Sequence, residues 1–229
     1  MSSTLLARDV HVCVTDENAI FLDLRHDKYV GLDAVQTRIL RRLLSDEPEV
    51  GADTKALVAH LIEQKLLTQD ERSGRALRLT EMAAPTGGLV GFEYDPPCEV
   101  RWHHVLTFAA AYLEVTASLR FRSLAATVAT ACRRRKAAKL RGKPLDVRHV
   151  HGLVLAFRRL RPLFYRGRER CLLDSLVLTS FLAKYRVFPH LVIGVMLGPF
   201  GGHCWVQYEN LVLNDRLEKV TKFTPILSS

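Results

Sequence analysis

Residues 200–215, FGGHCWVQYENLVLND, set a histidine and a cysteine side by side after a glycine pair and end on an aspartate. Side chains alternate along a strand, so His203, Trp205 and Gln207 share one face while Cys204, Val206 and Tyr208 share the other. Two hairpin registers are open. If Glu209 and Asn210 form a two-residue turn, Tyr208 pairs with Leu211, and Asp215 falls opposite Cys204, on the wrong face for His203. If Tyr208, Glu209 and Asn210 form a three-residue loop, Gln207 pairs with Leu211 and His203 pairs with Asp215. Cross-strand partners stand about 4.5 to 5.5 Å apart at Cβ, which suits an imidazole–carboxylate hydrogen bond. The three-residue loop is the expectation. Its last position needs a left-handed residue, which Asn210 tolerates.

Outward from this hairpin, HLVIGVML (190–197) reads as its preceding strand. The stretch from Arg170 to Tyr185 is helical, with Leu172, Leu173, Leu176, Val177, Leu178 and Phe181 forming a broad apolar surface. Further helices are expected over Val147 to Leu160 and from about Trp102 to Lys139, the latter running into RRRKAAKLRGK before Pro144. Helices first and an antiparallel sheet after them make an α+β order. The N-terminal third has the reverse order. Short strands VHVCV (10–14), AIFLDL (19–24) and KYVGL (28–32) precede a helix capped by Asp33, with Val35, Ile39, Leu40 and Leu43 as its stripe. A second helix carries Leu57, Val58, Leu61, Ile62 and Leu66. This is a small winged-helix-like unit. Residues 81–97 concentrate glycine and proline, giving a division into 1–84, a linker at 85–97, and a second domain at 98–229.

Composition narrows the function classes. No apolar run approaches the roughly 20 residues of a membrane span, and the N-terminus lacks the pattern of a secretory signal. The five cysteines are scattered with no CxxC pair, which fits free thiols in a reducing cytoplasm rather than a disulfide framework or zinc site. The net charge of +9 is uneven: residues 1–84 hold 11 Lys+Arg against 14 Asp+Glu, or −3, and the rest hold 22 against 10, or +12. A winged-helix DNA-binding regulator is the alternative from a different class, and the negative N-terminal unit argues against it. His103 and His104 are adjacent and do not converge on a helix, and His149 and His151 have no accompanying ligand pattern, so no metal site is expected. No cofactor is expected either. Ser123, Ser175 and Ser180 lack nucleophile-elbow glycines.

Cys171 opens the helix CLLDSLVLTSFLAK, where the helix dipole and unpaired backbone N–H groups favour a thiolate, helped by Arg168 and Arg170. Those N–H groups also suit an oxyanion. A plain packing role is open to both Cys171 and His203, since free cysteines are usually buried. As a set the residues make chemical sense. The thiolate attacks, His203 moves the proton, and Asp215 holds the ring. Cys204 points away from whatever His203 faces.

The run C-LLDSL…IGV…FGGHCWVQYENLVLND resembles the C-terminal domain of lasso-peptide B proteins, transglutaminase-like (papain-like) cysteine peptidases. The resemblance implies a triad of Cys171, His203 and Asp215. The N-terminal FLDLRHDKYVGLDAVQTRIL resembles the PqqD-like leader-recognition element of peptide-modifying systems, so the chain looks like the fused form. It departs from the usual pattern at Cys204, often alanine, and at Gln207, often glutamate. The implied function is release of a ribosomal precursor's leader, which binds as an added strand along Lys28, Tyr29, Val30, Gly31 and Leu32, with the second helix completing the contact surface. Gln207 and Trp205 are candidates to orient substrate. The implied partners are the precursor peptide and an asparagine-synthetase-like lasso cyclase, with neither nucleic acid nor membrane. Acyl transfer to another ribosomal peptide and a non-catalytic leader-binding scaffold are the alternatives.

Overall fold

The computed structural model describes residues 4–15, 17–45, 51–90, 98–139, 146–165 and 170–229. The fold is mixed α and β, in two compact units, Met1–Glu81 and Met82–Ser229. Among the described residues no helix is long and apolar enough to cross a membrane.

In the first unit β2 (Val10–Val14), β3 (Ala19–Asp23) and β4 (Lys28–Leu32) form an antiparallel meander in the order β2-β3-β4. The β3–β4 turn places Asp27 in the left-handed region, φ 49°, and Asp23 accepts the Arg25 N–H at 2.9 Å to close it. Then α1 (Ala34–Leu44) begins with the expected cap: Asp33 accepts from the Gln36 N–H, and Gln36 reaches back to the Asp33 N–H. Its buried stripe differs from the expected one. Val35 is 63% exposed, and Thr37 is buried instead because its hydroxyl accepts the Ala19 N–H at 2.8 Å. After α2 (Ala52–Glu63), β5 (Leu67–Thr68) and β6 (Gly74–Ala76) flank β1 (Leu5–Ala7) in a second small sheet, order β5-β1-β6. Strands of two or three residues carry no readable alternation, so only the meander is legible in the sequence. Leu6, Val12, Phe21, Leu40, Leu61 and Leu67 close one core between these elements.

The second unit gathers α3 (Trp102–Phe121), α4 (Leu124–Lys139), α5 (Val147–Phe164) and α6 (Cys171–Lys184) beside a five-stranded sheet. The helix expected from Trp102 to Lys139 is two helices. The chain breaks at Arg122, and the Ser123 hydroxyl accepts the Ala126 N–H to start α4. Pro144, expected to end that stretch, lies outside the described residues. Phe108 meets Phe157, Phe164 and Phe181, tying α3, α5 and α6 together. The sheet is ordered β11-β8-β9-β10-β7, from β7 (Gly87–Gly88), β8 (His190–Leu197), β9 (Phe200–Tyr208), β10 (Leu211–Val212) and β11 (Thr224–Ser228), with α7 (Leu217–Val220) before β11.

Strand β7 corrects the linker expected at 85–97. Thr86 and Gly87 donate to Asn210 O, and Leu89 donates to Val212 O at 2.8 Å, so this part of the stretch edges the sheet. A Cβ on Gly87 would lie 2.8 Å from Leu211 Cδ2, so any larger residue there would have to displace the end of that side chain. The unit boundary accordingly falls at Glu81 rather than at residue 84. Residues 91–97 of the expected linker lie outside the described residues.

Strands β8 and β9 pair in register, Gly194 opposite His203 and Val192 opposite Trp205. Trp205, 1% exposed, lies over Gly194, where a Cβ would fall 2.8 Å from the indole and 3.0 Å from Phe223 Cβ. Gly194→Ala is therefore expected to cost about 1–3 kcal/mol through overpacking, read as a lowered melting temperature. An unchanged melting temperature would mean that the indole has room to move.

Candidate active site

Cys171 is the first residue of α6, and its N-cap, Arg170, makes no side-chain cap bond. The first-turn N–H groups at this end have no carbonyl four residues back within the helix. Arg168, expected to add charge here, lies outside the described residues. Opposite stands His203 on β9, 6% exposed. Its Nε2 is 2.6 Å from Asp215 Oδ2, and the ring also hydrogen-bonds the Cys171 thiol. Cys171, His203 and Asp215 are thus brought together.

They meet by a route that differs from the expected one. Leu211 pairs with Tyr208 and Val212 with Gln207, so the turn has two residues, and its left-handed residue is Glu209, φ 52°, not Asn210. Continued as a ladder, that register puts Asp215 opposite Cys204, away from His203. The ladder does not continue. Leu213 N–H still donates to Val206 O at 2.9 Å, but the Val206 N–H turns to the Asn214 side chain, Oδ1 at 2.8 Å. A side-chain carbonyl stands where the next backbone carbonyl belongs. After this point the chain bends, and Asp215 lies on His203.

The end of β10 also frees the edge of β9 for α6. Ser175 Oγ donates to Cys204 O at 3.1 Å, and the Cys204 N–H donates to the Cys171 sulfur. Asn214 Nδ2 completes the join, donating to Asp174 Oδ2 and Ser175 Oγ, each at 3.0 Å. Asp174 is buried, and its other oxygen accepts from the Tyr165 hydroxyl at 3.0 Å and Arg161 at 3.4 Å.

The electrostatics shift both the thiol and the ring toward their charged forms. Burial opposes a charged thiolate at Cys171, yet hydrogen bonds from His203 and from the Cys204 and Leu172 N–H groups hold its pKa below the ordinary thiol value. Burial likewise opposes a charged His203 ring, and the bonds to Asp215 and Cys171 outweigh it, raising its pKa. Asp215 is held down to about 2 against its own desolvation, by His203, by the Arg216 N–H at 2.8 Å and by Lys219 at 3.0 Å. The Lys219 ammonium shares Oδ2 with His203 and opposes protonation of the ring. Cys204 is the opposite case. It is buried, and desolvation pushes its thiol far up.

Both residues expected to orient substrate are occupied elsewhere. Gln207 is fully buried; its amide donates to Ala83 O at 2.9 Å and Glu209 O at 2.8 Å and accepts from the Trp205 indole N–H at 3.4 Å. Trp205 is core, its indole near-parallel to the His203 ring at 6.2 Å, so it backs the histidine from inside the sheet. Lys28 to Leu32 form β4, the edge strand of the meander; Lys28 and Gly31 are exposed, Tyr29 and Val30 half-buried. Leu32, 5% exposed, belongs to the core, so its side chain is not part of an open surface. Asn214, Asp174 and Lys219 were not among the expected site residues. The available signal was the polar pair Asp174-Ser175 inside an apolar helix and Asn214 ending an apolar run.

A family model described as transglutaminase-like superfamily matches residues 113–228, just over half the chain, which contain Cys171, His203 and Asp215. Searches of curated proteins and of solved structures return no match. Brief iodoacetamide treatment of the folded chain at neutral pH is expected to label Cys171 at least a hundredfold faster than Cys204, read by peptide mass. Comparable labelling would contradict the burial and hydrogen bonding described for the two thiols.

Proposed function

This chain belongs to the transglutaminase-like superfamily, and from that premise we propose that it is a cysteine leader peptidase of lasso-peptide maturation. Membership is consistent with cysteine peptidase or acyltransferase chemistry. The observation that carries the finer reading is a single imidazole bonded at once to Asp215, at 2.6 Å, and to a thiol at a helix N-terminus.

In this reading the Cys171 thiolate attacks the scissile carbonyl carbon, a C–S bond forms, and the carbonyl electron pair moves onto oxygen. First-turn N–H groups of α6 face the developing oxyanion. Collapse of the intermediate breaks the C–N bond, and the His203 imidazolium protonates the leaving amine. Neutral His203 then takes a proton from water as its oxygen bonds to the thioester carbon; the C–S bond breaks, the thiolate–imidazolium pair is restored, and the leader leaves as a carboxylic acid that ionises in solvent. Asp215 fixes the ring tautomer and stabilises the imidazolium. Lys219 limits that stabilisation. An amine in place of water would give acyl transfer through the same thioester.

The N-terminal unit is read as a PqqD-like, winged-helix-like leader-recognition element. The leader adds as a strand along β4, with main-chain hydrogen bonds giving affinity. The edge position of β4 and the exposure of Lys28 and Gly31 support this. Holding the leader raises the local concentration of the scissile bond, so the peptidase unit need not bind tightly. The released core amine would pass to an asparagine-synthetase-like cyclase.

With a cognate precursor peptide, Cys171→Ala is expected to abolish leader release and Asp215→Asn to slow it by 10²-fold or more, followed by product mass. Cleavage by Cys171→Ala at the wild-type rate would refute the peptidase. A chain lacking residues 1–81 is expected to lose leader binding in a fluorescence titration; undiminished affinity would remove the recognition role without touching the peptidase.

A further inference from the structure

We propose that Asn214 is the positioning residue of the site, ending β10 early and, anchored by Asp174 of α6, turning Asp215 onto His203. The proposal rests on reading Cys171, His203 and Asp215 as the reacting groups. Asn214 is not itself in contact with any of the three in the hydrogen bonds that define it. Its carboxamide is used in full on other groups: Oδ1 accepts the Val206 N–H at 2.8 Å, and Nδ2 donates to Asp174 Oδ2 and Ser175 Oγ at 3.0 Å each.

Each bond has a distinct consequence. Without Oδ1, the Val206 N–H lacks its partner, and leaving a buried N–H unpaired costs about 1–3 kcal/mol. The available replacement is the backbone carbonyl of Leu213, which would extend the ladder by one step. That extension carries Asp215 to the Cys204 side, because the side-chain period of a strand is two. Oδ1 therefore decides which face Asp215 takes. The Nδ2 bonds decide where the bend sits. Asp174 stands one helical turn after Cys171, is 8% exposed, and is fixed from behind by Arg161 of α5 and by Tyr165, which caps that helix. Nucleophile and aspartate are thus referred to the same turn of α6. A backbone carbonyl cannot do this, since it makes the strand bond but has no donor with which to reach the helix. Aspartate lacks the donor, leucine lacks both donor and acceptor, and serine carries both on a single oxygen with a shorter reach.

The charged and titratable groups around His203 are Cys171 from α6, Asp215 from the bend after β10, and Lys219 from α7. Those around Asn214 are Asp174 of α6, with Arg161 and Tyr165 behind it. The test is an NMR titration of the His203 ring in the full chain, together with melting temperatures. Asp215→Asn is expected to lower the His203 pKa by about one unit, a tenfold change in the ratio of charged to neutral ring. Asn214→Leu, which adds no charge, is expected to lower it by a similar amount. Asn214→Asp is expected to lower it too, although a new negative charge acting alone would raise it, so the sign separates positioning from charge. Asn214→Asp keeps an acceptor for Val206 but loses the donor to Asp174, and the exchange Asp174→Asn with Asn214→Asp restores that contact with donor and acceptor reversed. It keeps the net charge and is expected to restore the pKa to the wild-type value or above. If Asn214→Leu does not fold, Asn214→Asp and the exchange carry the same comparison.

A His203 pKa unmoved by Asn214→Leu, with only the melting temperature lowered, would overturn the proposal and leave Asn214 a structural residue. A rise in Asn214→Asp, or no recovery in the exchange, would also overturn it. If Asp215→Asn itself leaves His203 unmoved, the reading of the triad fails, which is a separate result.

Discussion

The hydrogen bond from the Val206 N–H to the Asn214 side chain is the contact on which the second unit's arrangement turns. A two-residue turn commits the hairpin to a register that would waste Asp215 on the Cys204 face. Substituting a side-chain acceptor for the backbone one stops β10 at Val212, after which α6 takes over the exposed edge of β9. The helix then brings Cys171 to the ring from one side while the bent chain brings Asp215 from the other. Strand termination and site assembly are one event. The two residues of β7 pair with β10 on its far side, so even this short strand is held on both edges.

Burial and hydrogen bonding pull against each other at the three site residues and at Cys204, and the outcome differs between them. For Cys171, His203 and Asp215 desolvation opposes charge, but each charged form has several hydrogen-bond partners, and those win. Cys204, adjacent in sequence to His203, has the same chemistry as Cys171 but is buried where few donors reach it, and desolvation prevails. Reactivity follows from the donors around a sulfur rather than from its nearness to the histidine along the chain. Gln207 and Trp205, which share the His203 face, act inward: one holds residue 83 and the hairpin turn, the other fills the space over Gly194. That face is a support for the histidine rather than a substrate wall.

Much of this was legible in the sequence where one residue type implies one structural role. Asp33 announced its cap, the alternation in the meander its three strands, and Cys171 its helix start. The pairing of His203 with Asp215 was expected, but through a three-residue loop that does not form. Residue type points to Asn210 for the left-handed position, but Glu209 takes it, and the Asn210 side chain bonds Thr86 instead. The bend was not legible because it depends on Asp174 and Asn214, forty residues apart, and pattern along a chain carries no sign of such a pair. Residues 87 and 88 read as linker because glycine weakens strand propensity, yet here glycine permits the close approach to Leu211.

The state of the Cys171 sulfur is the most direct test of the site. Its thiolate absorbance near 240 nm, taken as the difference between wild type and Cys171→Ala across pH, needs no substrate. An ion pair with His203 predicts a thiolate that persists well below the ordinary thiol range of about 8.5, and that is lost to protonation there when His203 is replaced by alanine. A Cys171 thiol that titrates near its ordinary value, with or without His203, would contradict the coupling of the two residues on which the proposed chemistry stands.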